Sequence, residues 1–247
     1  MTKQAGIGLS EVIISLFLAS LILTLLTQLY LSNKRQYSEA QKLLETNFDL
    51  QWVSDLMSDS IRRAGFTPCL GIDQLKTIDR RNNDKTLLGL KIEQSPLQLI
   101  QVNRMSELFT QVIEIQSPTK VVVARDILFN EQRPVLIADC DHAEVHQILR
   151  VDTLPKSYLI TLTRPLTFTF TRSIYIGEWF EEQWFIKKNA QKINSLHYKL
   201  FQTEELTSIV HSLEIKKTKV KQRELVDVVL GLDHNKTQSI IVAIRGS

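Results

Sequence analysis

The chain has 247 residues, of which 43% are hydrophobic and 23% charged, and its formal net charge is +3. That balance excludes a disordered chain, a collagen-like repeat and a polytopic membrane protein. Eight glycines and six prolines leave little room for Gly-rich phosphate loops or Pro-rich linkers, and a charge of +3 is too weak to imply nucleic acid by itself.

These averages conceal a very uneven distribution of apolar residues. From Val12 to Leu31 the chain reads VIISLFLASLILTLLTQLYL, without charge, Gly or Pro, and Ser32 and Asn33 precede Lys34 and Arg35. About 20 apolar residues at ~1.5 Å rise match the ~30 Å hydrocarbon thickness of a bilayer, which predicts a membrane span over about 12–33. The hydroxyls of Ser15, Ser20, Thr24 and Thr27 can bond back to helical carbonyls; Gln28 is the remaining polar residue. A buried core helix is the plain alternative, and the length and absence of charge speak against it. A cleaved signal peptide would have an apolar region of ~7–15 residues and a small-residue cleavage site. Here Leu-Tyr-Leu-Ser-Asn-Lys-Arg follows instead, so the segment is expected to stay on the protein.

Ahead of the span lies the leader MTKQAG, with one basic residue, Lys3, and a terminal Gly6; then comes IGLSE, which sets Glu11 against the apolar run. A carboxylate carried to mid-bilayer costs on the order of 2.5–3.5 kcal/mol, so such a residue calls for a cationic partner. If the chain were cut after Gly6, the new α-amino group of Ile7 would lie one helical turn from Glu11. It could pair with that carboxylate or with the same carboxylate of a neighbouring subunit. Lys34 and Arg35 beyond the span outnumber Lys3 before it, a charge difference that mildly favours the opposite orientation to a cytoplasmic N-terminus.

Glu11 to Ala64 contains no Gly or Pro, and Tyr37, Ala40, Leu44, Phe48, Val53, Leu56, Met57, Ile61 and Ala64 recur near a 3.6-residue period. Gly65 suits the position just past the helix end, Arg62 and Arg63 suit the negative end of its dipole, and Pro68 blocks continuation. The pattern predicts one helix over 7–64, roughly 80 Å long, whose apolar stripe holds the globular domain.

Beyond Gly65 the pattern turns to short, β-branched, often alternating segments: 87–93, 97–103, 110–116, 120–124, 135–140, 157–163, 170–177 and 239–246. Residues 204–213 form the best helical window among them. The expected class is α+β, a long N-terminal helix packed on an antiparallel sheet in a domain of residues 65–247.

Gly6, the apolar segment after it and Glu11 as the fifth residue past the Gly together resemble the prepilin motif of type IV pilins and type II secretion pseudopilins. The resemblance implies cleavage after Gly6 by a membrane aspartyl peptidase, methylation at Ile7 and a subunit-docking role for Glu11. Ile7, Gly8 and Ser10 depart from the residues usual there. Further along, Asp59, Ile61, Arg62, Ala64, Gly65, Phe66 and Cys69 resemble a helix-end segment of PilW-type minor pilins. Asp139, Cys140, Ala143, Glu144 and Val145 resemble a second such segment, and 205–218 a third that lacks its Gly. The likeness implies a single-pass inner-membrane protein with a cytoplasmic N-terminus and a periplasmic domain, later on a surface pilus. Its implied partners are other minor pilins, the major pilin, the prepilin peptidase, the assembly platform of the inner membrane and, before assembly, membrane lipid. A type II secretion pseudopilin is the alternative of the same class; a single-span anchored binding protein and a membrane-anchored hydrolase or metal protein are the alternatives of other classes.

Cys69 and Cys140, the only cysteines, each fall in a PilW-like segment, and an extracytoplasmic domain permits their disulfide. Two free buried thiols are the alternative. Asp139, Cys140, Asp141, His142, Glu144 and His146 form the only metal-suggestive cluster. On a strand His142 and His146 would stand roughly 13 Å apart, too far for one ion, so no metal or other cofactor is expected. Walker A, GxGxxG, HExxH and nucleophile-elbow motifs are missing, so the chain is not expected to be an enzyme. Asn235-Lys236-Thr237 matches a glycosylation sequon. Trp179, Phe180, Trp184 and Phe185 are read as core or edge packing with a contact surface as the alternative. Lys216, Lys217, Lys219, Lys221 and Arg223 are read as a solvated face rather than a nucleic-acid contact.

Overall fold

The structure is a computed structural model in which residues 8–93, 98–171, 173–220, 223–233 and 236–245 are described. It is α+β: one long apolar N-terminal helix, α1 (Leu9–Arg62), and a large β domain. Two compact units divide the chain at residues 1–51 and 52–247.

In the first unit α1 is continuous, and Glu11 sits in its first turn. The hydroxyls inside the apolar run are satisfied as helix chemistry requires. Ser15 donates to Val12 O, Ser20 to Phe17 O, Thr24 to Leu21 O and Thr27 to Leu23 O, at 2.8–2.9 Å.

In the second unit the helix runs on from Trp52 and burial sets in with Val53, Met57 and Ile61, all fully buried. It ends where the sequence places the stop. Gly65 takes φ +70°, a left-handed conformation that a side chain would strain, and donates its N–H to Asn103 O at 2.8 Å. Gly89 lies so close that a Cβ there would meet Gly65 Cα at 2.7 Å, so position 89 has no room for a side chain.

The strands are β1 (Lys76–Asp79), β2 (Leu90–Glu93), β3 (Leu99–Ser117), β4 (Lys120–Ala124), β5 (Pro134–Ala138), β6 (His142–Thr153) and β7 (Ser157–Leu162). They continue with β8 (Tyr175–Lys188), β9 (Asn194–Lys199), β10 (Thr203–Thr207), β11 (Ser212–Val220), β12 (Arg223–Gly231) and β13 (Thr237–Ala243). The main sheet runs β10-β9-β8-β5-β6-β7-β4-β3-β2, and β3 also pairs β8, so six of its strands close a ring. Closure is possible because two long strands each serve two neighbours. Residues 99–111 of β3 pair β8 and residues 112–117 pair β4. In the same way β6 leaves β5 for β7 across a bulge after Ile148. Val121, Val123, Val135, Ile137, Ile148, Ile160 and Ile176 belong to one core cluster, contributed by strands of this ring. A second cluster joins Ile72, Leu75, Leu87, Met105, Leu136 and Trp179, and so packs the segment after the helix onto the sheet. β11-β12-β13 form a separate antiparallel sheet.

Residues 204–213 are not helical. They form β10, a turn in which Thr207 Oγ1 accepts the Ile209 N–H at 3.2 Å, and the start of β11. The β-branched Ile209 and Val210 and the hydroxyl's local bond explain why the helical window fails.

Candidate functional site

The helix start carries the first candidate residues. Glu11 is exposed, and its Oε2 accepts the Gly8 N–H at 3.3 Å, so the carboxylate lies over the positive end of the helix dipole. Gly6 and Ile7 lie outside the described residues, as does the leader. The 18-residue apolar window of α1 has a mean hydropathy of 2.4 and none of it is buried. By length and composition it is long and apolar enough to cross a bilayer once.

The stripe expected to hold the domain divides in two. Val53, Met57, Ile61 and Ala64 are buried, whereas Tyr37 (73% exposed), Leu44 (58%) and Phe48 (71%) are not. Apolar periodicity marks a face that wants cover and does not say whose. Leu43 and Trp52, outside the expected stripe, are exposed as well.

The end of α1 is clasped from two sides. Toward β8, Ser60 Oγ donates to Glu182 Oε2 at 2.6 Å and accepts from Trp184 Nε1 at 3.2 Å. Glu182 is also paired with Arg104 at 2.7 Å, both side chains buried. Toward the three-stranded sheet, Gln238 Nε2 donates to Ser54 Oγ at 3.0 Å and Arg245 N–H to Arg62 O at 3.0 Å. Burial, reinforced by the Glu182 charge, pushes the Tyr198 hydroxyl up to about 12. None of this network was read from the sequence. The available signal was the serines 54, 58 and 60 interleaved with the buried apolar residues near the end of the helix.

Cys69 and Cys140 are disulfide-bonded, with Cα atoms 5.3 Å apart. The bond joins the segment after the helix to the turn between β5 and β6. The acidic residues beside Cys140 have a structural task. Asp139 Oδ1 accepts N–H groups of Asp141 and His142 at 2.8 and 2.6 Å, and Oδ2 accepts Thr171 N–H at 3.3 Å. Burial alone would raise its pKa, but these donors outweigh it and hold the carboxyl below its ordinary value. Glu144 accepts the N–H groups of Thr167 and Phe168. The two acids thereby suspend the β7–β8 connection, which has no ladder of its own there. That connection is also where the strand expected over 170–177 begins late, at Tyr175.

His142 and His146 lie on β6, as the extended reading required. His146 is buried with Nε2 2.9 Å from Glu144, and the His142 ring packs on Phe168 with centroids 4.6 Å apart. Among the described residues no group of three His, Cys, Asp or Glu is arranged to hold a metal ion. A second carboxylate–guanidinium group ties the β1–β2 turn to the sheet: Arg81 meets Asp79 at 2.9 Å and Glu181 at 2.7 Å. Against desolvation, these contacts hold the Asp79 carboxyl below and the Arg81 guanidinium above their ordinary values.

Trp179 and Trp184 are buried on opposite faces of β8, while Phe180 and Phe185 are half-buried. In the basic run, Lys217 pairs Glu224 at 2.7 Å and Lys216 faces Asp227 across the β11–β12 pair. Acidic neighbours thus dilute its charge. Lys221, the Arg223 side chain and Asn235 of the sequon lie outside the described residues.

Comparison of the chain with family models, curated proteins and solved structures gave no match.

Proposed function

We propose that the chain is a minor pilin, PilW-like, that is stored in the inner membrane and drawn into a type IV pilus. The observation that carries this reading is the division of α1. Its apolar first part, including Tyr37, Leu44 and Phe48 beyond the membrane length, is exposed, while its last turns are locked into a disulfide-bonded β domain. A simple anchor needs only the ~20 residues that cross the bilayer. The further apolar turns are surplus to anchoring and suit packing against the helices of neighbouring subunits. In this reading Gly6 is the processing site, Ile7 the new N-terminus, and Glu11 receives a neighbour's α-amino group during docking. The subunit's output is assembly, within a priming or tip complex with other minor pilins, rather than turnover of a substrate.

Mass spectrometry of the protein from its native membrane tests the reading at its first step. The expected N-terminus is Ile7, carrying one added methyl group; a chain starting at Met1 or Thr2 would overturn it. Retention of the leader would favour a single-span anchored binding protein.

A further inference from the structure

At the head of β5 and the tip of the β9–β10 hairpin lies a groove of about 400 Å3, lined by Arg133, Tyr198, Leu200, Phe201, Gln202 and Glu204. Its size falls in the range of small-molecule sites. Its floor is fixed. Tyr198 packs on Trp184 with ring centroids 4.8 Å apart, and Phe201 stands edge-on to Phe180 at 6.1 Å. Arg133 follows Gln132, whose φ is +63°, and its carbonyl accepts the Ile148 N–H at 3.2 Å, which pins the backbone at this point.

The two cations near these rings differ in one respect. Arg104 lies 5.0 Å over Phe180 and is consumed by its ion pair with Glu182. Arg133 lies 3.8 Å over Phe201 and has no ion-pair partner among the described residues. A guanidinium held over an aromatic face still has N–H donors to offer, and in general it receives a carboxylate in two parallel hydrogen bonds. Glu204 also lacks an ion-pair partner among the described residues, and it sits across the hairpin from Tyr198. A purely acidic peptide would be repelled by Glu204. A hydroxylated ring bearing one carboxylate satisfies the whole lining. Its carboxylate meets Arg133, its hydroxyls donate to Glu204 and exchange hydrogen bonds with Gln202, and its C–H face covers Leu200 and the 53% exposed Phe201.

We propose that this groove binds an acidic sugar of the uronate type. The site does not depend on the filament reading, because every residue in it belongs to the β domain.

The test is calorimetric or saturation-transfer titration of the full chain in detergent micelles with glucuronate, glucose, acetate and a short poly-glutamate peptide. Glucuronate is expected to bind saturably and at least tenfold more tightly than the other three. Arg133→Gln should weaken it about tenfold or more, the scale of a lost charged hydrogen bond. Arg133→Lys keeps the charge but loses the fork and is expected to weaken it too, and unchanged circular dichroism separates both losses from misfolding. No saturable glucuronate binding overturns the proposal, as does equal binding of acetate or of the peptide, or full affinity in a folded Arg133→Gln variant.

Discussion

Glu11 and Asp139 are both carboxylates that accept backbone N–H groups, yet their surroundings assign them different tasks. Glu11 is exposed, and the hydrogen bond its carboxylate accepts among the described residues comes from Gly8, in its own first turn. Glu11→Gln is therefore expected to leave the thermal midpoint unchanged while sharply reducing recovery of the protein in sheared surface filaments. Equal recovery would remove the docking role. Asp139 is almost fully buried and its acidity is increased by the three N–H donors around it. A group depressed in this way contributes stability above its unfolded value, about 3.9, and loses that contribution as pH falls through its lower folded value. Chemical denaturation at neutral pH and at about pH 3 should show a smaller difference for Asp139→Asn than for the parent chain, with the variant weaker at neutral pH. An unchanged pH dependence would show that the carboxyl's charge does not matter there. Asp139 was legible in the sequence as part of a resemblance and of a possible metal cluster. Its hold on the β7–β8 connection was not, because that depends on the amide of Thr171, 32 residues away along the chain.

Among the elements, α1 was the most legible, since an unbroken run without Gly or Pro, a stop at Gly65 and a basic last turn all express local rules. The expected bounds of 7–64 and the observed Leu9–Arg62 differ only at the ends, and residue 7 is undescribed. β3 was harder to read. The windows expected over 97–103 and 110–116 fall on one strand, Leu99–Ser117, because the register shift between Met105 and Phe109 interrupts the alternation without ending the pairing with β8. A break in period is therefore ambiguous between a turn and a bulge. The buried Arg104–Glu182 pair was illegible for a different reason. Charges on strands ordinarily face solvent, and here Ser60 arrives from the helix to meet Glu182 while Phe180 lies under Arg104. Removing one partner leaves the other buried and alone, so Arg104→Met is expected to cost about 3–5 kcal/mol in denaturant unfolding. Arg104→Met combined with Glu182→Leu should recover much of that loss; a double variant as weak as the single would show that volume, rather than charge, holds the site.

At the scale of the whole molecule, the disulfide ties together two stretches separated by 71 residues in sequence. Chain entropy for such a loop is worth roughly 4 kcal/mol. Cys69→Ser is expected to lower unfolding free energy by about that amount under oxidising conditions and by nothing under reducing ones. A cost that persists in reductant would point to lost packing instead. On a non-reducing gel the parent chain should run faster than its reduced form, and the variant should not.

The clasp at the end of α1 also has a mechanical meaning. The helix is gripped between two sheets through Ser54, Ser60 and Arg62 and by the buried Val53, Met57 and Ile61, and the disulfide lies only seven residues past Arg62. A pull along α1 would load the two sheets in shear through many contacts at once, rather than peel one strand after another. Helical turns without tertiary cover have only their own hydrogen bonds to resist stretching. Under rising tension the uncovered turns should extend first, acting as a fuse that spares the β domain.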